Sequence, residues 1–291
     1  MKILVRFGRF WFFATINFVH IANGAVLSDK LMTVVPRDAA SIIMLRPKPS
    51  TNTKIEVLLV QRNVKSEFAP AAYVFPGGAV ETNDSSLEIQ ELCSNLSAKQ
   101  ASERLQEQDA MVPETALQLF VAAIREAFEE VQILLAYRED MQLASFNQVE
   151  LKRMAKYQLQ LHNNQMFFSD ILRKEGLTLA TDQLHYVAHW ITPEVAPRRY
   201  DTRFFIAPAP PNQSAHPDNT ETTDALWITP QEAIERYEHK ELSLLPPTIR
   251  NLETIAQFAS VSEAITSVHG MEVPTIMPKV VTENGKMKII F

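Results

Sequence analysis

Three glutamates lie close together in a strongly helical stretch of the sequence, at a spacing that suits a metal ion. Glu126, Glu129 and Glu130 follow one another at i, i+3 and i+4, which places their carboxylates on one face of a helix. The carboxylates repel one another unless a cation compensates them, and hard cations such as Mg²⁺ or Mn²⁺ prefer oxygen ligands. Glutamate pairs are also common on solvated helix faces, so the spacing alone leaves an ordinary surface helix open.

Two further features of the sequence favour a functional site. The chain has seven glycines, and two of them, Gly77 and Gly78, stand side by side where a strand-like segment turns into a loop. Because they lack side chains, these glycines can bring backbone amides or carbonyls close to an ion or a phosphate. Arg125 directly precedes the glutamates, and we interpret it as a structural clamp that holds a carboxylate by a bidentate ion pair.

The glutamates belong to the clearest helix in the sequence, which the periodicity predicts over residues 116–137. At about 100° per residue, its apolar positions fall on one face and the three glutamates on the opposite face. The apolar positions are Leu117, Val121, Ile124, Phe128, Val131 and Leu135. This pattern predicts that one face of the helix packs on a core while the other presents its carboxylates.

Strand-like and helix-like segments alternate on both sides of this helix, which predicts an α/β domain. Strands are predicted at 40–45, 54–61, 186–192, 202–207 and 226–228. Further helices are predicted within 84–114, over 148–161 and 166–174, and from Thr229-Pro230 onward.

These elements divide the chain into three parts. An N-terminal extension covers residues 1–36, one domain with an insertion at 84–114 covers residues 37–260, and a tail covers residues 261–291. The tail carries a hairpin signal at Asn284-Gly285.

The first part of the extension has the outline of a secretory signal. Basic residues precede an apolar run at 10–22, and small residues follow it. The run is too short and too interrupted to predict a transmembrane helix. The alternative is an extended start of translation that the working protein does not need, so both readings stay open. We expect no stable membrane association unless this segment is retained as an anchor.

Composition excludes some classes of function. The 291 residues are 46% hydrophobic and 21% charged, with a net charge of −6, which is typical of a folded domain. No run of lysine and arginine predicts a basic stripe, so we expect no nucleic-acid partner. The single cysteine, Cys93, excludes an intrachain disulfide and fits a reducing compartment, so we expect a cytoplasmic protein.

Two separated segments together resemble the Nudix box, whose usual form is G-x5-E-x7-R-E-U-x-E-E-x-G-U with U a bulky apolar residue. The first segment runs Phe75-Pro76-Gly77-Gly78-Ala79-Val80-Glu81, and the second runs Arg125-Glu126-Ala127-Phe128-Glu129-Glu130. From Gly78 to Arg125 the chain has 47 positions where the plain box has 14, an insertion of 33.

The chain also departs from the box at single positions. The first glutamate of the box falls on Asp84 when counted from Gly78 and on Leu117 when counted back from Arg125, so we assign no residue to it. Gln132 stands where the box has the glycine that ends the helix, which predicts a helix running on beyond this position.

A long insertion at this point resembles the branch of Nudix hydrolases that includes the animal peroxisomal coenzyme A and acyl-coenzyme A diphosphatases. Further segments agree with that branch over roughly residues 38–260. They are Val57-Leu58-Leu59 before Gln61-Arg62, Phe68-x-Pro70, Trp190-Ile191-Thr192-Pro193, and the run from Arg198 to Phe205. The final residues are not a peroxisomal Ser-Lys-Leu-type signal, so we do not transfer that location.

The resemblance implies the Nudix α/β/α sandwich, with a mixed sheet and helical insertions. It also implies that Glu126, Glu129 and Glu130, helped by a backbone carbonyl near Gly77, hold Mg²⁺ or Mn²⁺. These cations would neutralise a diphosphate and activate a water for attack on phosphorus.

One of the three glutamates, or an acid from a distant loop, would then take the proton of that water. Nudix enzymes often recruit such an acid from just before a Trp-bearing strand, which makes Glu221 the preferred candidate and Asp224 the alternative. Arginines could grip the phosphates of the substrate. The candidates are Arg62, Arg198, Arg199 and Arg203.

We therefore predict a metal-dependent hydrolase acting on a small molecule with a nucleoside-linked diphosphate, with coenzyme A or acyl-coenzyme A as the preferred substrate. ADP-ribose, nucleotide sugars and dinucleoside polyphosphates are the alternative substrates. A non-catalytic Nudix-like binding module is the alternative of another class. That alternative predicts a damaged glutamate cluster, whereas the cluster in this sequence is intact.

Overall fold

The structure is a computed structural model that describes residues 2–7, 10–15, 34–50, 54–93, 95–105, 111–283 and 286–290. Most of these residues belong to one α/β unit built around a twisted sheet. The strands are β1 Lys2–Phe7, β2 Phe10–Thr15, β3 Arg37–Pro47, β4 Ile55–Arg62, β5 Tyr73–Val74, β6 Gly77–Ala79, β7 Ala136–Tyr137, β8 Thr178–Leu179, β9 His185–Ile191, β10 Tyr200–Pro208, β11 Thr222–Ile228, β12 Thr275–Ile276, β13 Lys279–Glu283 and β14 Lys286–Ile290.

Helices cover both faces of this sheet. They are α1 Leu87–Gln90, α2 Ala98–Leu105, α3 Pro113–Val131, α4 Gln148–His162, α5 Phe168–Glu175, α6 Pro230–Glu238, α7 Pro246–Ile255 and α8 Val261–Val268, with short 3₁₀ turns at Thr82–Ser85 and Thr181–Gln183. None of the helices within the described ranges is long and apolar enough to cross a membrane.

The main sheet is mixed, with strand order β11-β4-β3-β10-β9-β12. Strands β3 and β10 run parallel, as do β9 and β12, whereas the other neighbours along this order are antiparallel. The short strands β5 and β6 pair with β4 and β3. Separate small sheets join β7 with β8, and β13, β14, β1 and β2 in that order.

The central strands β3 and β10 each contribute to two hydrophobic cores, because successive side chains of a strand point to opposite faces. On one face, Ile42 and Met44 pack beneath α3 and the helices α1, α2, α4 and α5. On the other face, Ile43 and Leu45 pack against α6, α7 and α8. The predicted α/β/α sandwich with a mixed sheet is confirmed.

The structure corrects the predicted end of the central helix. Helix α3 ends at Val131, and Gln132 adopts the left-handed conformation with φ 61°, although it is not a glycine. Its amide donates to the Phe128 carbonyl oxygen at 2.9 Å, and its side-chain amide donates to the Leu151 carbonyl oxygen at 3.3 Å. Contacts with α4 therefore end the helix where the box has glycine, and residues 136–137 form β7 instead.

The tail contains a helix that the sequence does not predict, α8, which buries Ala264 and Val268 in the second core. Strand β13 pairs antiparallel with β14, as the hairpin signal predicts. The hairpin residues Asn284-Gly285 lie outside the described residues. So do residues 16–33, which contain most of the small residues of the signal-like pattern.

Candidate functional site

The C-terminal half of α3 lies against the glycine pair at β6. The Gly77 amide donates to Glu130 Oε2 at 3.1 Å. A Cβ atom added to Gly78 would lie 2.5 Å from Glu126 Oε1, and one added to Gly77 would lie 2.4 Å from the Ala40 carbonyl oxygen. A side chain at Gly77 would meet the backbone of β3, so this position requires glycine, whereas a side chain at Gly78 would displace the Glu126 carboxylate.

Arg125 is the centre of the carboxylate cluster. Its side chain is almost fully buried, and its guanidinium donates to Glu126 Oε1 and Glu129 Oε2 at 3.0 Å each. The same group donates to the Ala79 carbonyl oxygen at 3.0 Å, which ties α3 to β6. This arginine thus fixes one oxygen of each of two glutamates. The predicted clamp role stays a proposal, and these contacts support it.

Asp84 is the site residue that the sequence left unassigned. It is buried within the 3₁₀ turn at Thr82–Ser85 and pairs with Arg125 in bidentate geometry, with Oδ1 at 2.8 Å from Nε and Oδ2 at 3.0 Å from Nη2. It also accepts the Glu81 amide at 2.8 Å. The count from Gly78 already placed the first acid of the box here, so the signal was present. The insertion follows this residue and does not precede it.

Burial and crowding raise the pKa of all three glutamates. Burial raises the pKa of Glu126 to about 7, against the opposing charge of Arg125. Burial also raises the pKa of Glu129 to about 8, and the neighbouring charges of Glu126, Glu81 and Asp84 add to the shift. The pKa of Glu130 is raised well above its usual range, first by burial and then by the charge of Glu126.

These carboxylates suit a divalent cation in donor chemistry. In the described part of the chain, no hydrogen bond reaches Glu126 Oε2, Glu129 Oε1 or Glu130 Oε1, because Arg125 and the Gly77 amide bind the other oxygen of each group. Oxygen donors with excess negative charge are what Mg²⁺ and Mn²⁺ prefer. No group of three acidic, histidine or cysteine side chains among the described residues converges in ready-made ligand geometry.

The loop before β11 brings Glu221 to this cluster. The Asp218 amide donates to the Glu130 carbonyl oxygen at 3.0 Å, which attaches the loop to the end of α3. Glu221 is exposed, and its charge contributes to the raised pKa values of Glu126 and Glu130, after burial. The structure thus brings together four of the acids named from the sequence.

Asp224, the alternative acid, is engaged elsewhere. The Tyr73 hydroxyl donates to Asp224 Oδ2 at 2.7 Å. Burial and this hydrogen bond raise the pKa of Tyr73 to about 12, so the hydroxyl keeps its proton and holds the carboxylate. Of the two candidates, Glu221 is the one whose charge acts on the glutamates of α3.

Two of the four candidate arginines stay available for a substrate. Arg62 lies at the end of β4, where its Nε donates to the Phe68 carbonyl oxygen at 3.1 Å and its charge lowers the pKa of Glu130 against the effect of burial. Arg198 is largely exposed and pairs with Glu67 in the loop that follows β4. Both can therefore reach solvent near the loop that follows β4.

Arg199 and Arg203 are engaged within the fold, and their phosphate contact stays a prediction. Arg199 is buried and donates to the carbonyl oxygens of Thr192 at 3.0 Å and Val34 at 2.8 Å. Arg203 is buried and pairs with Asp38 at 2.8 Å. Binding a phosphate would break these buried contacts. The free energy lost would be larger than for an exposed arginine that gives up a solvated contact.

Comparison with known proteins identifies the family of this chain. The NUDT19 Nudix domain family matches residues 32–255 of the chain. An acyl-coenzyme A diphosphatase NUDT19 from Xenopus laevis is 29% identical over 245 residues, covering 75% of this chain and 64% of that protein. The Gallus gallus protein of the same name is 29% identical over 267 residues, covering 78% of this chain and 70% of that protein. The match thus spans less than two thirds of the Xenopus relative.

A solved structure shows the same fold. The crystal structure of a Nudix hydrolase from Alicyclobacillus acidocaldarius superposes with a TM-score of 0.65 at 24% identity, covering 83% of this chain and all of that one. The family match covers well over half of the chain and includes both segments of the interrupted box. The chain therefore belongs to the NUDT19 Nudix domain family.

Proposed function

We propose that this protein is a Mg²⁺- or Mn²⁺-dependent diphosphatase that hydrolyses coenzyme A or acyl-coenzyme A. The observation that carries the proposal is the imbalance of charge around α3. The acids that act on one another there are Glu81, Asp84, Glu126, Glu129, Glu130 and Glu221, against the arginines Arg62 and Arg125. A site that binds a diphosphate with so many acids needs cations between protein and substrate.

The choice of substrate rests on the relatives. The proteins from Xenopus, Gallus and human that resemble this chain carry the name acyl-coenzyme A diphosphatase. These relatives are 25–29% identical to this chain, and related sites on one fold serve different substrates. ADP-ribose, nucleotide sugars and dinucleoside polyphosphates are therefore included in the test below.

Glu126, Glu129 and Glu130 would hold the cations through their second oxygens. When bound, a divalent cation neutralises the diphosphate and lowers the pKa of a coordinated water. Arg125 keeps the first oxygen of two of these glutamates in place, so the second oxygens start from a fixed position. Pre-orientation of this kind reduces the reorganisation needed in the transition state.

Glu221 would act as the general base. Its carboxylate is exposed beside the cluster, where it can take the proton of the attacking water. The water oxygen forms a bond to one phosphorus while the bond from that phosphorus to the bridging oxygen breaks, and the leaving phosphate carries the electron pair. Coenzyme A then yields 4′-phosphopantetheine and adenosine 3′,5′-bisphosphate. Arg62 and Arg198 would bind phosphate oxygens beside the loop that follows β4.

The test is a substrate panel with the full chain. Purified protein is incubated with Mg²⁺ or Mn²⁺ and with coenzyme A, an acyl-coenzyme A, ADP-ribose, a nucleotide sugar, a dinucleoside polyphosphate or a nucleoside triphosphate, and the products are identified by mass. Glu129→Gln and Glu130→Gln are assayed alongside, and Glu238→Gln, an exposed residue of α6 on the other face of the main sheet, is the matched control. Each site variant should lose about a hundredfold or more in rate, because it removes a charged ligand.

Adenosine 3′,5′-bisphosphate from the wild type, lost in both site variants but not in the control, supports the proposal. Cleavage of another substrate alone supports the chemistry and rejects coenzyme A as the substrate. A folded protein that binds Mn²⁺ but cleaves nothing in the panel rejects the catalytic proposal and favours a binding module.

A further inference from the structure

The loop that carries Glu221 is anchored by hydrogen bonds to two consecutive residues at the C-terminal end of α3. The His216 amide donates to the Val131 carbonyl oxygen at 2.9 Å, and the Asp218 amide donates to the Glu130 carbonyl oxygen at 3.0 Å. These are carbonyls at the C-terminal end of α3, which have no partner within the helix. The loop therefore begins at a fixed point three residues before Glu221.

The Asp218 side chain then holds the loop from inside. Its Oδ1 accepts the Thr222 amide at 2.9 Å and the Thr220 amide at 3.2 Å, and its Oδ2 accepts the Glu221 amide at 3.1 Å. An ionised carboxylate bonded to consecutive amides is a strong, charge-assisted arrangement. Because Asp218 uses both oxygens in this way, it fixes the backbone on either side of the Glu221 Cα atom.

Asn63, just after β4, holds the same segment from the opposite side. Its backbone amide donates to the Glu221 carbonyl oxygen at 2.8 Å, and its side-chain amide donates to the Thr220 carbonyl oxygen at 2.9 Å. The peptide groups before and after Glu221 are thus bonded through their amides to Asp218 and through their carbonyls to Asn63. The Glu221 side chain itself is exposed, and no hydrogen bond within the described residues engages it.

We propose that Asp218 and Asn63 are positioning residues that aim Glu221 at the carboxylates of α3. This inference rests on the proposed role of Glu221 as the general base. Neither residue contacts the substrate or takes the proton itself, since the oxygens of Asp218 accept backbone amides and Asn63 is neutral. The two residues act through backbone geometry, because a reacting group displaced by about 1 Å can lose a hundredfold in rate.

The first experiment measures the geometry without any catalysis. Hydrogen–deuterium exchange is recorded on the full chain for the amides of residues 220–222 in wild type, Asp218→Ala and Asp218→Asn. Asp218→Ala should speed exchange at least tenfold, whereas Asp218→Asn keeps an acceptor oxygen and should stay closer to wild type. Exchange in Asp218→Ala equal to that of the wild type would overturn the inference, whether or not the protein is an active hydrolase.

The second experiment is a double-mutant cycle on kcat with the substrate that the panel identifies. Asp218→Ala should lower kcat about tenfold to a hundredfold with KM changed less than about twofold, and Asp218→Asn should restore most of the loss. Asn63→Ala removes one of these hydrogen bonds and should cost less. Glu221→Gln abolishes the base. When Asp218→Ala is added to it, kcat should fall no further, because Asp218 acts through Glu221.

Asp140 provides the matched control. Its Oδ1 also accepts a backbone amide, that of Gln142 at 3.0 Å, but the residue lies in an exposed turn after β7. Asp140→Ala should leave kcat unchanged. Additive losses in the Asp218→Ala/Glu221→Gln variant, or an Asp218→Asn variant as slow as Asp218→Ala, would overturn the positioning role. A wild type that is inactive on the whole panel rejects the proposed function and leaves the exchange experiment to decide on the loop.

Discussion

Two buried arginines lie among carboxylates on the same face of the main sheet, and their surroundings differ in charge. Both clusters lie near Ala40 of β3. Arg203 is the partner of Ala40 in the pairing of β10 with β3, and Gly78 is its partner in the pairing of β6 with β3. Arg203 pairs with Asp38 at 2.8 Å and with Asp201 at 3.1 Å. Asp201 in turn contacts His189, so Arg203 and this histidine ring share two carboxylates between them.

The cluster around Arg125 has a surplus of acids. Arg125 pairs with Asp84, Glu126 and Glu129, and Glu130 adds a further charge within the same helix. Burial and these neighbours raise the pKa values of the glutamates, which means that the folded protein resists their ionisation. Two carboxylates held by an arginine and a histidine ring can stabilise a fold by themselves, whereas a larger surplus of buried acids is typical of a site that a cation completes.

The largest effect is expected when Arg125 is removed from the acid-rich cluster. Arg125→Met should destabilise the protein by about 3–5 kcal/mol, because it leaves buried carboxylates without a partner. Activity should fall at least a hundredfold, since the glutamates lose their fixed orientation. Urea unfolding and kcat/KM measure the two effects, and Arg125→Lys, which keeps the charge but not the fork, should fall between. Normal activity in Arg125→Met would show that the clamp is not needed.

A smaller loss is expected from Gly78→Ala. The added Cβ atom would lie 2.5 Å from Glu126 Oε1, so this carboxylate must move. We expect activity to fall about tenfold to a hundredfold and Mn²⁺ to bind more weakly in a spin-resonance titration. Gly270→Ala is the control, because its backbone has φ +74° but no atom lies within 4 Å of the added Cβ. That variant should cost about 1–2 kcal/mol without loss of activity; equal activity in the two variants would contradict the contact.

For the cluster around Arg203 we expect a loss of stability without a loss of activity. Arg203→Met should destabilise the protein by about 1–3 kcal/mol, a value reduced from that of a fully buried pair because 41% of the Asp38 side chain is exposed. Thermal unfolding measures the loss, and kcat/KM of the folded fraction should match that of the wild type. A drop in kcat/KM with unchanged stability would instead restore the substrate contact that the sequence predicted for Arg203.

We also expect the stability of the protein to depend on pH. The pKa values of Glu126 and Glu129 rise from 4.5 to about 7 and about 8 in the folded protein, mainly through burial. The folded state then binds more protons than the unfolded state between these values, so the free energy of unfolding falls as pH rises from about 5 to about 8. Mg²⁺ should flatten this slope in thermal melts, because it favours the ionised forms. A flat profile without metal would show that the surplus has no energetic effect.

Much of the fold could be predicted from periodicity. The runs that gave β3, β4, β9 and β10 are apolar on both faces, as expected of strands covered by helices on two sides. The end of α3 could not be predicted, because Gln132 takes the conformation of the missing glycine only through its contact with α4. The burial of α8 was missed because its packing partners on β9, β10 and β3 lie far away in the sequence.

The sequence alone determined which side chains of α3 lie together at the candidate site. Glutamates at i, i+3 and i+4 share one helix face wherever that helix lies, and an arginine beside them is within reach, because helical spacing is a local property. These residues, with Gly77-Gly78, were enough to identify the family.

Only the tertiary structure decided which other residues join them. Asp84 is separated from Arg125 by the insertion, and Glu221 comes from a loop after β10, so no local spacing connects them. The four arginines looked alike in the sequence, yet Arg203 is consumed by Asp38 and Asp201 across neighbouring strands. Long-range contacts depend on strand order and register, which only the packing of the whole sheet fixes.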